Sequence, residues 1–411
     1  MADTHFRGDA TAVAQVNTAT PANVESTDIF ALIINGKSVT FTASAATVAN
    51  VTAGLTAAWN ISTVPEFMEV TAVDSTTHVT LTADTPGKPF TVTATATDGG
   101  GTDTQTLAIA ITTANDGPNV WSANNFSEGS LPGSGDDVWI ADSDVDIKYM
   151  PAAAVDVDSV NIFASYTGEI GLPRTNTDGS TDYTEYRTRF LETDTSEVNI
   201  GEGAGDGSGR VMLNFGTTAT LCTVYTTASA ADDTAHAVQL KGGAALGALR
   251  VLDGTVDVAH VGGDTGTFPT ITVTGSSTVA LWDGVSVTTL NVEGNSTVEL
   301  RTTCTTLTTR NSGSVTVTGV GAITTLDVLG GVVDHRGSGT VTTANVGSGG
   351  KLSFDDNIHS TITVANATME KGSALWDNRT IVSFSSGIDL GNNQLSDVDL
   401  QLGRGRTITP D

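Results

Sequence analysis

The sequence predicts an all-β protein: a parallel β-helix, or β-solenoid, preceded by a small β-rich domain that carries one helix. Three observations predict it. Six runs share the pattern x-T-T-L-x-V, starting at 268, 287, 304, 323, 341 and 359, at intervals of 19, 17, 19, 18 and 18 residues. After each of the first five, past a Gly/Asn/Ser turn, comes a second apolar run. Its first aligned residues, Val279, Val298, Val315, Val333 and Leu352, keep intervals of 19, 17, 18 and 19. Two runs holding one non-integer period mark a solenoid, in which each repeat is a coil that buries its apolar face only against its neighbours. The third observation is composition: with 45 glycines and only 5% aromatics among 411 residues, the core must be aliphatic and the strands short, separated by many turns.

Taken in order, residues 1–26 are small and polar and read as a flexible arm or linker. Residues 27–117 read as a small domain. Two strand-like runs flank Asn35-Gly36, a strong hairpin signal. Val48, Val51, Leu55 and Trp59 stand at helical spacing and predict one helix over 47–60. Alternating strands around Pro86-Gly87 complete a sheet with one helix on it.

Residues 118–150 concentrate Trp121 and Trp139 around a Pro-Gly-Asp turn cluster, which suits closure of the open end of a sheet stack. Trp121, Phe126, Gly129, Pro132, Asp136, Asp137, Val138 and Ile140 fit a W-x4-[WF]-x2-G-x2-P-x3-D-D-V-x-I pattern. This segment resembles the motif that opens β-helical regions in many large bacterial and phage proteins. That resemblance implies a right-handed helix.

Over 151–379 the solenoid pattern rules, with weaker upstream copies starting at 157, 195, 219 and 246. Alternation along a strand assigns the faces. Ile271, Leu290, Leu307, Leu326, Ala344 and Ile362 form one inward column, and Val273, Val292, Thr309, Val328, Val346 and Val364 its neighbour. Thr270, Thr289, Thr306, Thr325, Thr343 and Thr361 form an outward threonine ladder. The second run points Leu281, Leu300, Val317, His335 and Phe354 inward, so His335 is expected as a hydrogen-bonded core histidine or at a coil that opens. The irregular upstream intervals require loops. The longest, 171–195, holds Arg174, Tyr183, Tyr186, Arg187, Arg189 and Phe190, residue types favoured at contacts, and is expected to form an interface or to pack on the helix flank. Residues 380–411 lose the threonine signature and are expected to cap the last coil.

A net charge of −28 excludes nucleic acid and anionic membranes as natural partners. No catalytic or metal-binding motif stands out, so neither an enzymatic activity nor a cofactor is expected; structural Ca²⁺ at Asp-rich turns such as Asp142–Asp146 is the one metal to consider. Cys222 and Cys304 sit in apolar runs and read as core thiols. The first residues have neither a basic nor an apolar signal-peptide region, so synthesis in the cytoplasm is expected.

The stretches INGKSVTFTASAATVANVTAGLTAAWN and LTADTPGKPFTVTATAT resemble a domain met in virion proteins of tailed phages and in planctomycete proteins. The resemblance implies an outer capsid-decoration or fibre protein, trimeric, bound to a major capsid or other virion protein. A bacterial surface adhesin is the alternative, because autotransporter passengers use similar repeats. A polysaccharide-cleaving tailspike and an ice-binding threonine face are minor alternatives.

Overall fold

The computed structural model describes residues 3–100, 104–178, 181–228, 236–359 and 361–403. Two long parallel sheets wind through the chain. The first, of fifteen strands, runs from Asp3–His5 and Asp137–Ile140 to Ile362–Met369 and Val382–Phe384. The second, of twelve strands, runs from Val155–Asp156 to Asp399–Leu402. Each coil gives one strand to each sheet, so twelve rungs about 4.8 Å apart make a rod of roughly 55 Å.

The inward columns are as the repeat implies. Val160, Val198, Cys222, Leu249, Ile271, Leu290, Leu307, Leu326 and Ala344 are paired rung to rung, and every one is fully buried. All four weak upstream repeats are therefore true coils. Thr309 sits inside with no exposure, its hydroxyl donating to the Gly330 carbonyl at 2.9 Å. Where the chain turns after the second strand, coil backbones stack directly on one another. A Cβ on Gly319 would stand 1.7 Å from the Arg301 carbonyl oxygen, so only glycine fits that corner.

The last interval differs from the sequence reading. Ala344 pairs with Ala367, Val341 with Val364 and Val346 with Met369, a step of 23 residues in place of 18. Five extra residues are taken up by the corner around Asn357 and Ile358, so the pattern at 359 slips in register. Ile362 and Val364 stay buried, but they do not continue the columns that lead to Ala344 and Val346.

His335 does point inward, with no exposure, and the coil stays closed around it. It is not hydrogen-bonded as expected. Among the described residues neither ring nitrogen has a partner, and the ring lies 5.4 Å from that of Phe354. Burial, opposed only weakly by its surroundings, holds the imidazole down at about 4. Beside it, Asn357 is fully buried and ties two coils together, donating to the carbonyls of His335 at 2.9 Å and Gly337 at 2.7 Å.

The small domain has a four-stranded and a three-stranded antiparallel sheet. Ile29–Ile34 and Lys37–Thr42 form the expected hairpin, with Asn35 at φ 51° and Gly36 at φ 73°, the two left-handed positions a tight two-residue turn needs. Helix α1, Val48–Asn60, starts at Thr47, whose side chain accepts from the Asn50 amide. It buries Val51, Leu55 and Trp59, and the Trp59 indole donates to the Val70 carbonyl at 2.7 Å. A second, single-turn helix, α2 (Pro65–Met68), was not expected.

Residues 3–26 are not a free arm. Asp3–His5 pairs with Asp137–Ile140 and closes the first rung of the solenoid, with Thr4 buried. Val16–Ala22 is an inner strand of the small domain, between Val79–Ala83 and Thr106–Thr113. Backbone pairing on both sides stabilises this strand, which is why its small polar side chains concealed it. Within 118–150, where a cap was expected, Asp137–Ile140 is already a strand of the first sheet, while Trp121 packs edge-on to Phe126 at 4.9 Å and Phe126 to Phe6 at 5.8 Å. Trp139 lies outside, stacked between His5 and Phe163. At the other end, Val382–Phe384 and Asp399–Leu402 pair with the preceding coil, so 380–403 is one more coil where a separate cap was expected; 404–411 lie outside the described residues.

Candidate functional site

The two outer faces of the rod differ in chemistry. On the first sheet, Thr270, Thr289, Thr306, Thr325 and Thr343 stack in register as an outward ladder. The ladder then passes to Asn366, because the longer last step leaves Thr361 ahead of its strand. In the adjacent column Asn345 donates to Asp327 at 2.7 Å and Thr368 donates to Asn345 at 2.7 Å. Among the ten outward positions of these five coils only Asp327 is charged.

The second sheet carries the charged and aromatic groups. Its outward column reads Gln239, Asp257, Ala280, Glu299, Thr316, Asp334 and Ser353. Strand alternation explains it: Val256 and Val258 point into the coil, so Asp257 between them must point out. Asp257 is nevertheless only 2% exposed, because side chains of neighbouring coils cover it. His236 Nδ1 stands 3.2 Å from one carboxylate oxygen and His260 Nδ1 3.3 Å from the other. The Trp282 indole donates at 2.9 Å and the His236 amide at 2.9 Å. Burial alone would raise the Asp257 carboxyl; these donors outweigh it and hold it below its ordinary range, while Asp257 lifts His236 above the usual imidazole value.

Two rungs further, Arg301 lies over the Trp282 ring at 3.7 Å and donates through Nε to Glu299 Oε1 at 2.9 Å. Thr318 donates to the same oxygen at 3.1 Å. Arg336 closes this stretch, donating to Asp334 at 2.6 Å and to Asp356 at 3.0 Å. Between His236 and Arg336 lies an open groove of about 390 Å³ floored by Thr278, Ala280 and Thr297.

The long loop contains the hairpin Thr175–Asp178 and Thr181–Thr184. Tyr183 and Arg187 from this loop reach the small domain. Arg187 is paired with Glu69 at 2.5 Å and with Glu185 at 3.0 Å, and donates through Nε to the Pro89 carbonyl at 2.6 Å. Tyr183 and Lys88 also donate to Glu69, and the guanidinium lies over Tyr186 at 4.4 Å. Burial pushes the Glu69 carboxyl up, but Lys88, Tyr183 and Arg187 together bring it below its ordinary value. Arg189 and Lys241 flank Phe190, at 5.6 and 4.2 Å, and Arg189 donates to the Leu172 carbonyl at 3.1 Å. Arg174 is exposed. Of the six loop residues singled out by type, Tyr183, Tyr186 and Arg187 thus form a contact between the two units of this chain.

The acids of 142–147 are not gathered together. Asp146 accepts from the Glu169 amide at 2.9 Å and pairs with Lys148 at 2.7 Å. Carboxylates converge instead at Glu25, Asp28 and Asp98, within 4.8 Å of one another. Asp28, buried there, already accepts from the amides of Glu25 at 2.8 Å and Gly99 at 3.1 Å. These three are the residues that could hold a hard cation such as Ca²⁺.

Compared with family models, curated proteins and solved structures, the chain has no match. Among the described residues no helix is long and apolar enough to cross a membrane.

The second-sheet column escaped the sequence reading, although the signal was there. Once Val279, Val298, Val315 and Val333 are aligned as inward, the next residue of each repeat, Ala280, Glu299, Thr316 and Asp334, has to face out.

Proposed function

We propose that this chain is a non-enzymatic structural protein of a virus-like particle, an outer capsid-decoration or fibre protein of the tailed-phage type. The carrying observation is the buried Arg187–Glu69 cluster, which fastens the small domain to the first-coil end of a twelve-rung rod. A domain held in this way can be anchored to a shell while the rod projects. The strong negative charge supports protein partners over nucleic acid or anionic membrane. In this reading the chain assembles as a homotrimer and binds a major capsid or other virion protein.

Mass spectrometry of purified particles is expected to find the chain in stoichiometric copies, and cryo-microscopy to show rods on the surface. Recovery only from secreted or outer-membrane fractions of uninfected cells would overturn this reading. Light scattering behind size exclusion tests the trimer. The polar groove on the second sheet favours a second reading, an extracellular β-helical adhesin, which the same fractionation distinguishes.

A further inference from the structure

We propose that the outer face of the second sheet, from Asp257 to Asp334, is a binding groove for a neutral, hydroxyl-rich glycan lying along the rod axis. The inference concerns this face alone and does not depend on where the protein resides.

Shape comes first. Ala280 is the small residue of its column, set between Asp257 on one rung and Glu299 on the other. Its missing side chain leaves a notch between two walls, which stand two rungs, about 10 Å, apart. His236 forms one wall and Glu299 the other, with Arg336 closing the groove two rungs beyond Glu299. A groove of about 390 Å³ lies within the usual range for small-ligand sites.

The walls are held in place. His236 is fixed through its backbone amide, which donates to Asp257 with the ring Nδ1 3.2 Å from the same carboxylate, and Asp257 is in turn held by the Trp282 indole. Glu299 is held through Oε1 by Arg301 and Thr318. A polar group positioned by its neighbours recognises a ligand without first losing rotamer freedom.

The free hydrogen-bonding capacity then indicates the ligand. Among the described residues, Glu299 Oε2 and the hydroxyls of Thr278, Thr297 and Thr316 make no hydrogen bond within the protein. Threonine hydroxyls of the first-sheet ladder are free among the described residues as well; what the second sheet adds is the groove at Ala280 and a carboxylate oxygen beside it. A ligand hydroxyl both donates and accepts, so it can serve the lone carboxylate oxygen and the threonines in turn. The two arginines beside the groove are already engaged by carboxylates: Arg301 by Glu299, and Arg336 by both Asp334 and Asp356. Among the described residues an anionic ligand finds no unpaired arginine there, and a chain at −28 repels polyanions. Arg301 covers the face of Trp282, so ring stacking adds little and hydrogen bonds must carry recognition. A single groove is expected to bind with a Kd on the order of 1 mM, strengthened by avidity where copies cluster.

The test is titration of the full chain, by NMR or calorimetry, with a panel of neutral oligosaccharides derived from dextran, cellulose, mannan, galactan and chitin. Heparin and polygalacturonate fragments form the anionic arm. The expected result is saturable binding of at least one neutral member, weakened tenfold or more in Ala280→Trp, which fills the notch, and in Glu299→Gln. Circular dichroism and melting of each variant verify folding. Thr297→Val, a near-isosteric change on the exposed face, gives a second reading should Ala280→Trp fail to fold. The proposal is overturned if no neutral member binds at ~10 mM, about ten times the expected Kd. It is equally overturned if only anionic fragments bind, or if folded variants bind as the parent does.

Discussion

Replacing His335 by leucine is expected to stabilise the rod, and to do so more strongly in acid. The column in which His335 stands holds Leu281, Leu300 and Val317 on the rungs before it, so leucine matches the local shape. At neutral pH the substitution removes two buried ring nitrogens that lack partners among the described residues, a gain of roughly 1–3 kcal/mol. The pH dependence follows from the lowered proton affinity. In the folded chain the imidazole titrates at about 4, against 6.5 ordinarily, with His359 adding repulsion to the effect of burial. The unfolded chain therefore takes up the proton first as pH falls. The parent has its full stability above about 6.5 and loses it progressively down to about 4. The gap, at 1.36 kcal/mol for each pH unit, is worth about 3 kcal/mol, of which about 2 is lost by pH 5. Many carboxylates also titrate in acid, but parent and variant share them, so the difference isolates His335. Urea unfolding of both proteins at pH 7.5 and pH 5 measures it. Because solenoid coils can unfold separately, hydrogen exchange of the Val315–Val317 and Leu352–Phe354 amides locates the effect. Equal losses in the two proteins between those pH values would refute the argument, and so would a less stable variant at pH 7.5.

Other expectations follow from single contacts. Arg187→Met leaves Glu69 and Glu185 buried beside one another without their guanidinium; a loss of about 3–5 kcal/mol at the junction is expected, read as faster proteolysis between the two units. Asn357→Ala removes two hydrogen bonds between coils and leaves two buried carbonyls without a donor, for a loss of roughly 2–4 kcal/mol measured by urea unfolding. Burial pushes the thiol of Cys222 up to about 12 and that of Cys304 to about 11; both are expected to resist a thiol-specific dye at pH 8 until the chain is unfolded. With Asp28 already satisfied by two amides, chelation by EDTA is expected to leave the melting temperature unchanged, and a calcium-dependent rise would place an ion at Glu25, Asp28 and Asp98.

What was legible in the sequence follows from the range over which each feature is encoded. A coil repeats its environment every 17 to 19 residues from 268 to 344, so Leu290, Leu307 and Leu326 carry the same information three times and their common column can be read without coordinates. The helix at 48–60 and the Asn35-Gly36 turn are local and equally readable. Features that occur once were not. Val16–Ala22 is a strand because other strands flank it on both sides, and its own residues say little. Arg187 and Glu69 meet across 118 residues, and nothing in either neighbourhood names the other. The slip at the last step comes from five added residues in one corner, too few to disturb the visible pattern and enough to move Thr361 off the ladder.

The same logic separates scaffold from specificity. Inward positions are held to aliphatic residues by packing, and a buried exception such as His335 carries an energetic cost. Outward positions are under no such constraint, so their chemistry can vary from rung to rung without loss of the coil. On the first sheet that freedom is hardly used: threonine recurs at five successive levels, and in the neighbouring column Asp327, Asn345 and Thr368 bond to one another. On the second sheet it is used at nearly every level, with Asp257, Ala280, Glu299, Thr316 and Asp334 in succession. A face kept uniform suits a flat contact along the rod, whereas a face varied residue by residue can distinguish one ligand from another. Substitutions on the second face should therefore alter binding while leaving the melting temperature nearly unchanged, and substitutions in the inward columns should do the reverse.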